Sequence, residues 1–365
     1  MTSSGVPIQD AVPEVFVIPT DAPESDGTFE WNSTTLIAVT VSAGGEEGLG
    51  YTYGHRSGAL VITETLAPVI RGHDAMAVDA CWRAMVHQVR NVGLQGIAAT
   101  AISAVDSALW DLKARLLGVP LVTLLGSVRD AVPIYGSGGF TSYPEWRLRD
   151  QLGTWIEQGI RSVKMKVGRE PTADPHRVTA AREAIGPDAE LFVDANGGYT
   201  RKQALGLASA FRDSGVSWFE EPVSSDDLDG LRLLRDHAPG GMEIAAGEYG
   251  FDVWYFRRML EAGAVDVLQA DATRCCGITG FLHAAALCET AMVPLSAHTA
   301  PSLHVHLGCA LNRMRHLEWF HDHVRIEQML FAGAPVPDHG QLRPDRSRPG
   351  MGLELKRADA ARYAA

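Results

Sequence analysis

Eight short strand-like segments lie between Val132 and Phe320, most of them followed by a stretch long enough for a helix. Polar residues recur at the ends of these segments about once per repeat. Together the two patterns predict an α/β protein built on a (β/α)8 barrel, because repeated βα units imply a parallel sheet with right-handed crossovers. The 365 residues are 46% hydrophobic and 21% charged, an ordinary globular composition, and the length suits about two domains.

The first stretch, to about residue 130, mixes strand and helix signals. Residues 34–42 (TTLIAVTVS) have the β-branched content of a strand, and Gly44, Gly45 and Gly48 mark a turn after it. Val78, Cys81, Trp82, Met85, Val86 and Val89 form an amphipathic helical pattern. Ile102, Val105, Leu109, Leu112 and Leu116 repeat at steps of 3, 4, 3 and 4, an apolar stripe on one helical face, ended by Gly118 and Pro120. From about residue 131 strands are expected at 132–135, 162–167, 191–194, 218–220, 243–246, 265–269, 293–297 and 317–320. Segments such as 176–185 and 201–214 supply the helices between them.

Charge and cysteine usage exclude several classes. With 32 basic against 44 acidic residues the net charge is −12, which leaves no electrostatic footprint for nucleic acid or an anionic membrane. Apolar runs fall far short of the roughly 20 residues a membrane helix needs. Residues 1–10 lack the basic and apolar regions of a signal peptide, so a cytoplasmic protein is expected. Cys81, Cys275, Cys276, Cys288 and Cys309 are too scattered for a disulfide framework and are expected as buried free thiols.

The chemistry-bearing residues form a ladder. Lys166, Asp194, Glu220, Glu248, Asp271, His298 and Glu318 follow one another at intervals of 20 to 28 residues, about one βα unit. Each would then project from a successive strand end into the same mouth of the barrel, where active sites of this fold lie. Asp194, Glu220 and Glu248 would repel one another strongly without a cation, and three hard oxygen donors suit Mg2+ better than zinc. Lys164 and Lys166 are two apart on one strand and share a face. A second ammonium lowers its neighbour's pKa, so Lys166 is expected as an amine base. His298 with Asp271 one strand earlier makes a second acid/base. His316, His321 and His323 are irregularly spaced and read as solvated loop residues. Residues 20–31 and 50–57 read as loops over the mouth, the second rich in hydrogen-bond donors that include Tyr51, Tyr53 and His55.

At these residues the sequence resembles the enolase superfamily, in its mandelate racemase-like subgroup (the mandelate racemase / muconate lactonizing enzyme family). The resemblance runs over essentially the whole chain, through Lys164-Met-Lys166, Val193-Asp-Ala-Asn196, Phe219-Glu-Glu-Pro222, Ala246-Gly-Glu248, the Asp271 to Thr279 run, Ala297-His298 and His316-Leu-Glu318. It implies a modified (β/α)8 barrel at 131–340, an α+β capping domain from 1–130, and a tail, 341–365, returning to the cap. It also implies Asp194, Glu220 and Glu248 as Mg2+ ligands, with Mn2+ able to substitute. Lys166 and the His298–Asp271 dyad would be the acid/base groups. Lys164 would tune Lys166 and, with Glu318, hold the substrate carboxylate. Asn196 would contact substrate near the metal, and Glu221 would stand behind the ligand Glu220. Cys276 departs from the family, where glycine is common.

The reaction expected from this set is removal of the α-proton of a carboxylate through an enediolate. Elimination at the β-carbon of a sugar-derived acid is the leading outcome, by a dehydratase or a cycloisomerase. Racemisation or epimerisation of a 2-hydroxy acid is the alternative, and a metal-binding module without turnover the distant one. The partner is a small carboxylate, and a homo-oligomer is expected.

Overall fold

The computed structural model describes residues 5–365. Three antiparallel strands come first: β1 (Ile8–Ser25), β2 (Glu30–Ala43) and β3 (Glu46–Tyr53), paired in that order. The strand read at 34–42 is the inner half of β2. The two expected loops are mostly strand. Residues 20–25 belong to β1, leaving only a tight turn at Asp26–Phe29, and residues 50–53 belong to β3. Pro13, Pro19 and Pro23 all lie in β1, and its edge position tolerates them.

The sheet packs on the helix Ile97–Leu116, and glycine makes the approach close. A Cβ on Gly48 or Gly50 would meet Ala108 O or Ala104 O at 2.2 Å. The helix was expected to bury one stripe. It is instead buried nearly all round, because the barrel helix Gly277–Ala291 covers its second side. Asp106 marks that second contact: its carboxylate accepts from Thr279 N and Thr279 Oγ1 at 2.8 and 2.7 Å.

Eight parallel strands then close into a barrel: β4 (Val132–Gly138), β5 (Ser162–Lys166), β6 (Glu190–Asp194), β7 (Val216–Glu220), β8 (Glu243–Ala246), β9 (Val267–Ala270), β10 (Leu295–Ala297) and β11 (Met314–Phe320). Neighbours pair in sequence order and β11 returns to β4. All eight overlap the segments read from the sequence. Tyr135, Phe192 and Trp218 fill the interior, and His316 packs among them with ring centroids 4.7 to 5.8 Å away.

Three short strands complete the chain: β12 (Phe331–Ala332), β13 (Gln341–Leu342) and β14 (Glu354–Leu355). β13 pairs with β4, Leu121 N donates to Gly350 O at 2.7 Å, and Ala364 bridges to Phe16 on β1. Among the described residues no helix is long and apolar enough to cross a membrane.

Candidate active site

Register explains the ladder. Lys166 pairs with Asp194, Asp194 with Glu220, and Glu220 with Ala245, so these strands end level at one mouth. Just beyond the strands, Asn196, Glu221, Thr299 and Ala300 take left-handed backbone with φ of 45, 38, 52 and 40°. Each such non-glycine residue costs roughly 1–2 kcal/mol, a strain that concentrates at functional mouths.

Carboxylate oxygens of Asp194, Glu220 and Glu248 lie within 4.8 Å of one another, and all three residues are buried. Glu248 Oε2 has no hydrogen-bond partner. A buried, hard-oxygen triad with an orphaned lone pair fits a divalent cation such as Mg2+. Both lysines point into this cluster. Lys164 Nζ is 2.5 Å from Glu220 Oε1, 2.8 Å from Glu318 Oε1 and 3.4 Å from Asp194 Oδ2, while Lys166 Nζ donates to Asp194 Oδ2 at 2.5 Å. The expected lowering of the Lys166 pKa is not what this arrangement gives. Burial and the Lys164 charge do push it down, but Asp194 outweighs them and holds it above the usual range. Burial works against ionised Asp194 as well, and there the two lysines prevail and keep it low.

His298 Nδ1 is 2.9 Å from Asp271 Oδ2, which leaves Nε2 3.3 Å from Glu248 Oε2. Asp271 is fixed in turn by Thr273 N and Oγ1, both donating to Oδ1 at 2.7 Å. Burial would raise its pKa, but the His298 hydrogen bond and charge hold it below the ordinary range. Lys166 and His298 stand three strands apart around an eight-strand ring, on opposite sides of the mouth. Glu318 accepts from Lys164, from Ser137 Oγ at 2.6 Å and from Thr299 N at 3.0 Å. Burial alone would neutralise it; Lys164 keeps it ionised, an acceptor only.

A cavity of about 600 Å3 stands over this floor, lined among others by Lys166, Asn196, Glu248, Arg274 and His298 below and by Phe29, Trp31, Tyr53 and His55 above. Of the expected substrate contacts, Asn196, Tyr53 and His55 line it. Tyr51 does not: it shares a face of β3 with Tyr53, but its ring is fully buried and its hydroxyl donates to Glu327 Oε1 at 2.7 Å. The three irregular histidines are also corrected. His316 is inside the barrel, His323 stacks on Tyr53 at 3.5 Å and lines the cavity, and His321 pairs with Asp21 at 3.1 Å. His316 and Glu318 are two apart on β11, and that spacing was the available sign that both point inward.

Sequence reasoning passed over Trp218, whose indole donates to Glu220 Oε2 at 2.9 Å, and Ser137. It also passed over Arg274, which reaches Glu248 Oε1 at 3.4 Å and covers the Tyr249 ring. Cys276 sits at φ 65°, ψ 36° before the helix Gly277–Ala291, which is why glycine suits that position.

A closed parallel barrel whose mouth gathers acid/base groups and a carboxylate triad beneath a sheet cap defines a barrel enzyme with a metal-binding mouth. Sequence comparison narrows this. Residues 147–360 match the enolase C-terminal domain-like family, and residues 15–126 match the mandelate racemase / muconate lactonizing enzyme N-terminal domain. The chain belongs to the mandelate racemase / muconate lactonizing enzyme family of the enolase superfamily.

It is 34% identical over 330 residues to the 3,6-anhydro-α-L-galactonate cycloisomerase of Streptomyces coelicolor, covering 88% of this chain and 90% of that one. A mandelate racemase/muconate lactonizing enzyme-like protein from Rubrobacter xylanophilus superposes with a TM-score of 0.96 at 55% identity, over 98% of this chain and all of that one. The L-talarate/galactarate dehydratase of Salmonella typhimurium, solved with Mg and L-lyxarohydroxamate, superposes at 0.91 with 29% identity, over 100% and 95% of the two chains.

Proposed function

We propose that this protein is a Mg2+-dependent enzyme that removes the α-proton of a sugar-derived carboxylate and then eliminates at the β-carbon, as a dehydratase or a cycloisomerase. The observation that carries the reading is the carboxylate triad flanked on opposite sides by Lys166 and the His298–Asp271 pair. Relatives named as a dehydratase and a cycloisomerase support elimination as the outcome. Two acid/base groups facing one another would serve racemisation equally, which keeps an epimerase as the second reading.

Asp194, Glu220 and Glu248 would hold the ion. Bound there, it supplies charge stabilisation to an enediolate, since the α-proton of a carboxylate is otherwise very weakly acidic. The chain's own groups do the rest. Asp271 fixes the imidazole so that His298 Nε2 is the nitrogen that takes or gives a proton. Lys166 works from its neutral form, which the Lys164 ammonium favours and Asp194 opposes. Lys164 neutralises Glu220 and Glu318, keeping the floor of the site compact, and Asn196 at the cavity wall offers its amide to substrate.

We place the cap at 1–130 with the tail 341–365, and the barrel at 131–340. Five unpaired, buried thiols suit a reducing cytoplasm. A homo-oligomer is the expected assembly, which light scattering would measure. The function itself is tested by screening acid sugars for 2-keto acid formation with and without chelator. Activity should vanish in excess chelator and return with Mg2+ or Mn2+. Undiminished turnover in chelator would overturn the role of the triad.

A further inference from the structure

We infer that the substrate carries a single carboxylate and an uncharged far end, so that this enzyme takes monocarboxylic sugar acids rather than dicarboxylic ones. The inference rests on the function proposed above and follows from where charge lies in the cavity. The cations that line it all lie at the floor, Lys166 beside Asp194, Arg274 beside Glu248 and Asp271, and His298 beside Asp271. A carboxylate chelated at the floor takes up that end of the cavity.

The upper wall is aromatic. The Trp31 indole donates to Glu24 Oε2 at 2.8 Å and meets Phe140 edge-on at 5.5 Å, while Phe29 stacks on it at 6.2 Å. Across the cavity the Tyr53 ring stacks on His323 at 3.5 Å, and His323 meets Phe320 edge-on at 5.2 Å. Aromatic faces receive the C–H face of a sugar or an anhydro ring.

The charged groups of this wall have the wrong sign for an anion. Asp26 lines it, and the Thr34 hydroxyl in the lining is bonded to Asp322 just behind. His323 is the buried base of the wall, and burial pushes its imidazole down to about 3, so it is neutral at physiological pH. His55 sits exposed at the rim, bonded to Ser57. A second carboxylate would therefore meet no Lys or Arg at this wall, and would face Asp26.

The test compares aldonic acids and their anhydro derivatives with aldaric acids of matching configuration. We expect kcat/KM to favour the monocarboxylates by about 100-fold or more, the equivalent of two factors of ten in binding. Phe29→Arg, at a position 65% exposed, places a cation in the wall and should raise relative turnover of the dicarboxylates about tenfold or more. Equal or better turnover of dicarboxylates by the unaltered enzyme overturns the inference. Hydroxamate mimics of both sets, titrated into Mg2+-loaded protein, separate this from the reaction itself. If no acid is turned over yet monocarboxylate hydroxamates bind at least about tenfold tighter, the reaction reading falls and the charge preference stands. Equal affinity for the two sets overturns the preference, and binding of neither overturns both.

Discussion

At the scale of the residue, Lys166 and His298 divide the work by side. In deuterated water, Lys166→Ala should abolish α-proton exchange for one configuration of substrate and His298→Asn for the other, as mass spectrometry of the recovered acid would show. Loss of a general acid or base typically costs about 10²–10⁴-fold, so a severalfold defect in both variants would place the chemistry elsewhere. Asp271→Asn should reproduce the His298→Asn pattern and leave the Lys166 side intact, since of the two acid/base groups its carboxylate touches only His298. Glu24 gives a different readout. Burial, with Asp322 nearby, pushes its carboxyl up to about 8, and Oε1 lacks a partner. A folded pKa above the unfolded one means that its contribution is complete below about pH 4.5 and is lost as pH rises through about 8. Glu24→Gln keeps an acceptor for Trp31, so its Tm should exceed that of the unaltered protein by several degrees at pH 8 and match it at pH 4.

At the scale of the element, the turn Asp26–Phe29 is where the cap meets the barrel. A Cβ on Gly27 would lie 2.3 Å from Ala195 O and 2.7 Å from Val167 O, the backbone just past β6 and β5. Gly27→Ala should therefore lift the turn, raising KM about tenfold or more while calorimetric Mg2+ affinity is unchanged. Nothing local in the sequence announced this contact, because it joins two segments about 140 to 170 residues apart through backbone atoms that any sequence has. The barrel strands were legible for the opposite reason. Buried parallel strands read as short apolar runs between helices, and their polar ends repeat with the unit. The same reasoning misread β1, whose edge position tolerates Pro19 and Pro23. It also placed His316 in a loop, on its irregular spacing from His321 and His323, where the structure has it inside β11.

At the scale of the whole molecule, cap and tail share one buried carboxylate. Asp111, on the helix Ile97–Leu116, accepts from Leu49 N at 2.8 Å, from Met351 N at 2.5 Å and from Arg115 Nε at 2.6 Å. Asp111→Ala leaves two backbone donors buried without a partner and Arg115 without its anion. Denaturant titration should show a loss on the order of 3–5 kcal/mol. Seven of the eight ladder and lysine positions that converge at the mouth could be placed by interval alone, Lys164 following from its neighbour Lys166. The cavity roof could not, since it depends on how the cap docks.

The position of Met351 also imposes an order in time. A ribosome delivers the cap strands first and the eight barrel strands next, and only then the segment whose amide Asp111 needs. Until that segment emerges, the nascent chain holds a nearly complete barrel beside a cap whose central helix has Asp111 paired with Leu49 N and Arg115 but lacking the Met351 amide. Domains of chains this long commonly mature in sequence during synthesis. Here the first domain made is the last one finished, so stalled chains ending before Gly350 should remain protease-sensitive in the cap, long after the barrel strands have left the exit tunnel.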